Sequence, residues 1–408
     1  MDTNTVQQKA RPRWLWILLF FVAILILLAW LVIEIPNPSV IRASARQIAD
    51  YGGNPVWSPD NECIGFYGNP SGAKPGPWIV TAGRTSQPPQ FKGMRPGAAP
   101  EISWGVMKSP GTAGRYGLAS VVPRKGSSDL VCAYISQIGG TGSGDMSMGI
   151  QGEILRVAYR TGMLGRAAVW RVNGGPLSGS CLLEIGDGSP NNAAPIGQTS
   201  SFPVDAESRP VWSRYGNYVA WAANGKVCVY DTRTKKLTQY PIPKGYPGFY
   251  ISWSPDEKRL LYPIWSVDPA KAHKKPGDIP YMDLGQYIGY VVQEIGGKAT
   301  VVTAKPGHEP FSPVWHPSGL CITYVTKDGA IEMASPPGDP HRQTKRLVTT
   351  TEYKPQWEPG KCDPYCWLSW ETSGAWLAYG RANGGIVEYD VISTTSSFEE
   401  DWKKTQRH

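Results

Sequence analysis

The side chains with the widest chemical range are few. The 408 residues hold five histidines: His273, His308, His316, His341 and His408. None stands in the His-Glu-x-x-His spacing that sets two metal ligands on one helix face, so a zinc protease is not indicated. His308-Glu309, inside GHEPF, reads as a turn and not as a ligand pair. His316 follows a tryptophan at a place where related segments carry serine, which predicts a structural hydrogen bond. His341 lies in PGDPHRQ with no chemical partner beside it in sequence. A serine hydrolase needs Gly-x-Ser-x-Gly on a strand-to-helix elbow, and covalent haem needs Cys-x-x-Cys-His. Neither occurs. The sequence assigns no catalytic residue, no metal ligand and no cofactor.

Seven cysteines could oxidise in an exported domain. Cys63 and Cys321 fall in second strands of the repeat described below, and Cys228 in a third strand. There they serve as small hydrophobes. Cys362-Asp363-Pro364-Tyr365-Cys366 is different: its spacing and proline suit a turn that closes into a disulfide, with a metal pair as the alternative. It is not the Cys-x-x-Cys of a thioredoxin-like site. The loop QIGGTGSGDMSMG, 137–149, lacks the Gly-Lys-Ser/Thr ending of a phosphate cradle, and Asp145 alone is too little for calcium. A loop this long and rich in small residues reads as a surface arm.

The elements that would position any of these residues announce themselves by repetition. VWSPD at 56–60 returns as PVWSRYGNYVAW (210–221), ISWSPDEKRLLY (251–262), PVWHPSGLCITY (313–324) and LSWETSGAWLAY (368–379). In each copy an aromatic follows the tryptophan nine positions later: Trp57 and Phe66, Trp212 and Trp221, Trp253 and Tyr262, Trp315 and Tyr324, Trp370 and Tyr379. A polar turn rich in Pro, Gly and Asp lies between them, so each copy predicts strand, tight turn, strand. A further copy opens at Trp104, and third strands follow at KVCVYD (226–231) and GIVEYD (385–390). Four strands per 40–60 residues predict an all-β chain folded as a β-propeller of six or seven blades. Seven follows if Trp170 takes the key position in a degraded copy at 167–185, dividing the gap between Trp104 and Trp212.

Trp-Ser-Pro-Asp followed by a strand resembles the repeat of the TolB-like propeller family, whose WD40-like blades also occur in prolyl oligopeptidase-type proteins. Residues 57–60 and 253–256 match closely, while 212–215, 315–318 and 370–373 keep the tryptophan and lose part of the rest. The resemblance spans most of 51–395 and implies a propeller in a periplasmic setting. TolB carries its own amino-terminal domain, whereas this chain begins differently.

Residues 14–33, WLWILLFFVAILILLAWLVI, are twenty apolar residues without a charge. As a helix they would span about 30 Å, the hydrocarbon thickness of a bilayer. Lys9, Arg11 and Arg13 precede the run, so the positive-inside rule sets residues 1–13 in the cytoplasm and the remainder outside. Ala43-Ser44-Ala45 resembles a cleavage site, but the apolar run is longer than a signal peptide's, and an uncleaved signal anchor is the expectation. The domain plan is tail 1–13, transmembrane helix 14–33, linker 34–50, propeller 51–400 and tail 401–408. The net charge of +8 is dispersed and argues against a nucleic-acid partner.

These features predict a non-catalytic, single-pass protein of a bacterial inner membrane. Its propeller would lie in the periplasm as scaffold or accessory subunit of a larger membrane complex. The alternative is a ligand receptor or an enzyme that uses the central funnel. Partner contacts are expected from the loops 137–149 and 265–286. In the second, Trp265, Tyr281 and Met282 would serve as anchors and Lys271, Lys274 and Lys275 as a charged rim.

Overall fold

The computed structural model describes residues 45–49, 52–68, 76–82, 91–93, 102–106, 116–123, 130–136, 141–144, 152–160, 165–172, 180–186, 200–205, 208–243, 245–247, 251–267, 284–303, 311–326, 328–337, 344–348, 368–380 and 386–391. The apolar segment 14–33, Cys362, Cys366, Lys271, Lys274, Lys275, Tyr281 and Met282 lie outside these residues. The described residues contain strands and turns and no helix.

The strands pair into seven antiparallel sheets. Sheet 1 opens with Gly53–Trp57, sheet 2 with Ser103–Val106, sheet 3 with Gly152–Tyr159 and sheet 4 with Val211–Trp212. Sheet 5 has an interrupted first strand, Tyr246–Pro247 then Ser252–Trp253. Sheets 6 and 7 open with Phe311–Trp315 and Leu368–Trp370. Second, third and fourth strands follow outward in chain order, except in sheet 7. There the fourth strand is Ala45–Ala49, from the other end of the described chain, paired with Ile386–Asp390. Each sheet packs on the next and sheet 7 on sheet 1, so the sheets close into a ring. The strand at 45–49 corrects the expectation of a linker through residue 50: the ring begins at Ala45 and uses that strand to close itself.

The core lies between sheets, not in one central mass. Between sheets 4 and 5, for example, Ala220, Val227 and Val229 meet Trp253, Leu260 and Tyr262. Strand alternation explains the repeat. In five copies the tryptophan pairs with an aliphatic residue seven positions on: Ile64, Val219, Leu260, Ile322 and Leu377. The aromatic at the ninth position faces the same side two residues later, and all five of these rings are buried.

Sheet 3 shows what a degraded copy looks like. Tyr159 takes the tryptophan's place and pairs with Arg166, again seven residues on. Trp170 is not the key residue, as the sequence suggested, but sits on the second strand. Ala168 occupies the place of the usual aromatic, and Trp170 restores a large ring on the same face one step along.

Two loops are also shorter than expected. Within 137–149, Thr141–Gly144 is the fourth strand of sheet 2. The supposed loop at 265–286 is trimmed from both ends, because the strands Arg259–Val267 and Leu284–Glu294 run into it.

Candidate functional site

The first strands meet around a central channel of about 550 Å³. The six repeat tryptophans Trp57, Trp104, Trp212, Trp253, Trp315 and Trp370, with Tyr159 as the seventh member, line it and bind the ring together. Two kinds of hydrogen bond hold six of the seven junctions, and the residue before the ring differs between them. Where that residue is Val or Ala, its carbonyl accepts the next sheet's indole N–H: Trp104 to Val56 (2.9 Å), Trp212 to Ala158 (3.1 Å) and Trp253 to Val211 (3.1 Å). Where it is serine, its hydroxyl accepts the next sheet's backbone N–H: Tyr159 to Ser103 (2.8 Å), Trp315 to Ser252 (3.3 Å) and Trp57 to Ser369 (3.1 Å). The remaining junction is a variant in which the Trp370 indole donates to the Thr323 hydroxyl at 3.2 Å.

The turns after Trp57, Trp212, Trp253, Trp315 and Trp370 are one structure with interchangeable side chains. The N–H of the residue after the ring reaches the carbonyl five residues on, as in Ser58 to Cys63, Ser254 to Arg259 and His316 to Cys321. The fourth residue has positive φ: Asn61, Gly216, Glu257, Gly319 and Gly374, at 64°, 68°, 58°, 74° and 78°. A polar pair two residues apart braces four of these five turns: Ser58 with Asp60, Ser254 with Asp256, His316 with Ser318, and Glu371 with Ser373. The turns also hold their neighbours. Glu257 accepts the Tyr215 N–H and the Asn217 amide, each at 2.6 Å. Asn61 donates to Thr372 at 2.6 Å, Arg160 to the Tyr215 carbonyl at 3.1 Å, and Arg259 to the Gly319 carbonyl at 3.3 Å.

His316 is buried, with Nδ1 beside the Ser318 N–H and hydroxyl and Nε2 facing the Gly374 carbonyl at 3.2 Å. A carbonyl can only accept, so Nε2 carries the hydrogen. The residue braces one turn and ties it to the next. The cysteines 63, 181, 228 and 321 are buried free thiols. Burial, with Asp205 adding to it, pushes Cys228 up to about 11, and burial likewise raises Cys181. Among the described residues, no three His, Cys, Asp or Glu side chains gather as a metal site.

Trp265 does not stand out as a partner anchor. It is 7% exposed within a strand, and its ring lies 6.5 Å from that of Phe311.

The channel has two unlike ends. At the end where the first strands begin, Asn54, Arg156, Arg209 and Ser312 line it, each three residues before the key aromatic of its own sheet. At the end where the turns lie, Pro59, Arg214, Pro255, Pro317 and Thr372 form the rim. Arg156 and Arg209 escaped the sequence reading. The signal was their shared offset from the ring position, hidden because Tyr159 had not been recognised as one.

Family models and curated protein sequences give no match to the chain. Solved structures do match it. The WD40 domain of Pan2 from Neurospora crassa superposes with a TM-score of 0.53 at 13% identity, covering 85% of this chain and 95% of that one. The β-propeller domain of Cps50 (Swd1) from Myceliophteria thermophila gives 0.48 at 11% identity, over 84% and 97% of the two chains. The fold is a WD40-like β-propeller. At such identity the likeness extends to the fold alone, since propellers of this kind host many functions.

Proposed function

We propose that the protein is a membrane-anchored, non-catalytic propeller of the TolB-like kind. It holds partner subunits at the outer face of a bacterial inner membrane, as scaffold or accessory subunit of a larger complex. The observation that carries this reading is the closing strand. Ala45–Ala49 is locked into sheet 7, and the apolar segment 14–33 ends eleven residues before it in sequence. Whatever holds that segment therefore holds a strand on which closure of the whole ring depends.

Partner contact falls to the hairpin of sheet 5. Its strands Arg259–Val267 and Leu284–Glu294 have nine and eleven residues, against eight at most elsewhere in the ring. Folding of the ring does not require this extension, and the residues it carries include Lys271, Lys274, Lys275, Tyr281 and Met282. The segment 137–149 contributes through its parts outside the strand Thr141–Gly144.

Native mass determination of the full chain, extracted from its own membranes in mild detergent, tests the proposal. The expected result is a defined complex with other membrane subunits, which is lost when 268–283 is replaced by a short Gly-Ser turn. A single chain of 44.6 kDa in the unaltered preparation would defeat the scaffold reading. Retention after the replacement would move the contact away from the hairpin.

A further inference from the structure

We propose that the outer edge of sheet 5, the fourth strand Ala299–Thr303, receives an extended strand from a protein partner, a segment β-branched and uncharged at its centre and acidic at its ends. This edge gives the partner subunit proposed above its mode of contact, and rests on the scaffold reading only for where that partner is found.

The backbone is the first observation. The Glu294 N–H donates to the Lys298 carbonyl at 3.0 Å, which makes these two a hydrogen-bonded pair at the hairpin end. From there the register runs unbroken, with Val292 opposite Thr300 and Tyr290 opposite Val302. Bonded and non-bonded pairs alternate along an antiparallel ladder. Thr300 and Val302 therefore turn their N–H and C=O groups inward to the third strand, and Ala299, Val301 and Thr303 turn theirs outward. Among the described residues no strand pairs on that outer side. The outward groups stand at the spacing that strand addition uses.

The second observation is that nothing guards this edge. Edge strands are ordinarily blunted by charge, proline or loss of regularity. The fourth strands of sheets 1, 2, 3, 4, 6 and 7 carry Lys92, Gly142, Pro203, Lys236, Arg346 and Arg46. The strand ATVVT has no charge, proline or glycine, and its Thr and Val residues favour strands. Val301 is 36% exposed, one of three large hydrophobics so exposed among the described residues. Ala299 and Val302 join the apolar layers on the two faces of sheet 5, and an added β-branched strand lengthens both layers.

Charge then selects the occupant. Exposed Lys298 precedes the strand and Lys305 follows it in sequence, with no acidic residue between them. A second copy paired antiparallel would set a Lys298 and a Lys305 together at each end, whereas a strand with acidic ends meets opposite charge there. The third strand also continues from Gly289 to Leu284, past the end of the fourth, so the free edge lies in line with the extended hairpin.

Fluorescence anisotropy of the full chain in mild detergent tests this, with labelled Glu-Thr-Val-Thr-Val-Thr-Glu as probe and Lys-Thr-Val-Thr-Val-Thr-Lys as control. The acidic-ended peptide should bind, and the basic-ended one about tenfold more weakly or worse. Val301→Pro removes an outward N–H and no ladder bond, so it should weaken binding about tenfold or more while leaving the unfolding midpoint nearly unchanged. Thr303→Pro makes the same change at the next outward position and serves if V301P does not fold. Val301→Thr keeps the N–H and should keep binding within about twofold. No binding of the acidic-ended peptide, equal binding of the basic-ended one, or unweakened binding by the proline variants would overturn the proposal. So would a dimer of the unaltered chain that V301P dissociates. Native mass determination separates this claim from the scaffold reading. A membrane complex that V301P retains defeats the edge alone, whereas peptide binding by a chain that carries no other subunit defeats the scaffold reading and leaves the edge standing.

Discussion

Trp253 shows in one side chain how the ring is built. It is buried, stacks on Tyr218 at 5.5 Å and donates its indole N–H to the Val211 carbonyl of the preceding sheet. Trp253→Ala leaves a cavity and strands that carbonyl, so a loss of about 3–5 kcal/mol is expected in denaturant unfolding. A loss below about 1 kcal/mol would mean that the ring is not part of the core. Three turn carboxylates contribute to the response to acid. Burial works against ionisation of Asp231 and Asp256, but hydrogen bonds outweigh it: from the Thr234 and Arg233 N–H groups in one case, from the Ser254 hydroxyl and Lys258 N–H in the other. The Thr326 hydroxyl is the first cause that lowers Asp328, with Arg346 assisting. All three lie below their ordinary values in the folded chain. Their stabilising contribution is therefore fully present above the unfolded carboxyl pKa of about 3.9, and is lost as pH falls through the lower folded values. Denaturation midpoints should drop in that window, and drop less in D231N/D256N/D328N. An unchanged slope in the triple variant would remove these residues from the acid response. At this scale the sequence was legible where a residue type recurs at fixed spacing, as the tryptophans do. It was silent on Arg156 and Arg209, because only register brings them to one level. It also hid Tyr159, whose ring replaces the expected indole while Ala168 replaces the aromatic nine positions on.

At the scale of elements, the turns and first strands read well because each satisfies its bonds locally and in the same way. What did not read was pairing between distant segments. Ala45–Ala49 has no partner within 300 residues of sequence, and its bond to Ile386–Asp390 is visible only once the ring has closed. Pairing with this strand covers the otherwise open edge of Ile386–Asp390. Ile48 is buried in the contact between sheets 7 and 1, beside Trp376 and Phe66. Ile48→Asp places a carboxylate there without a partner, so proteolysis should cut first at sheet 7 and the midpoint of unfolding should fall. If sheet 7 resists protease as in the unaltered chain, the strand does not hold the ring shut. Sheet 5 errs in the opposite direction: 265–286 looked like a loop because 268–283 is rich in Pro, Asp and Lys, yet the pairing runs on to Val267 and Leu284 with two irregularities.

At the scale of the whole molecule, the described strands form a ring of seven sheets, and the first described strand pairs with the last. The fold was largely readable from the repeat. The partners were not, since binding surfaces on a propeller carry no periodic signal. The central claim is that residues 14–33 hold this ring outside the cytoplasm. Its most direct test is a fusion of alkaline phosphatase after His408, expressed in a bacterial host, because that enzyme forms its disulfides and folds only outside the cytoplasm. High phosphatase activity in the membrane fraction is the result the account predicts. An inactive fusion of full length would contradict it.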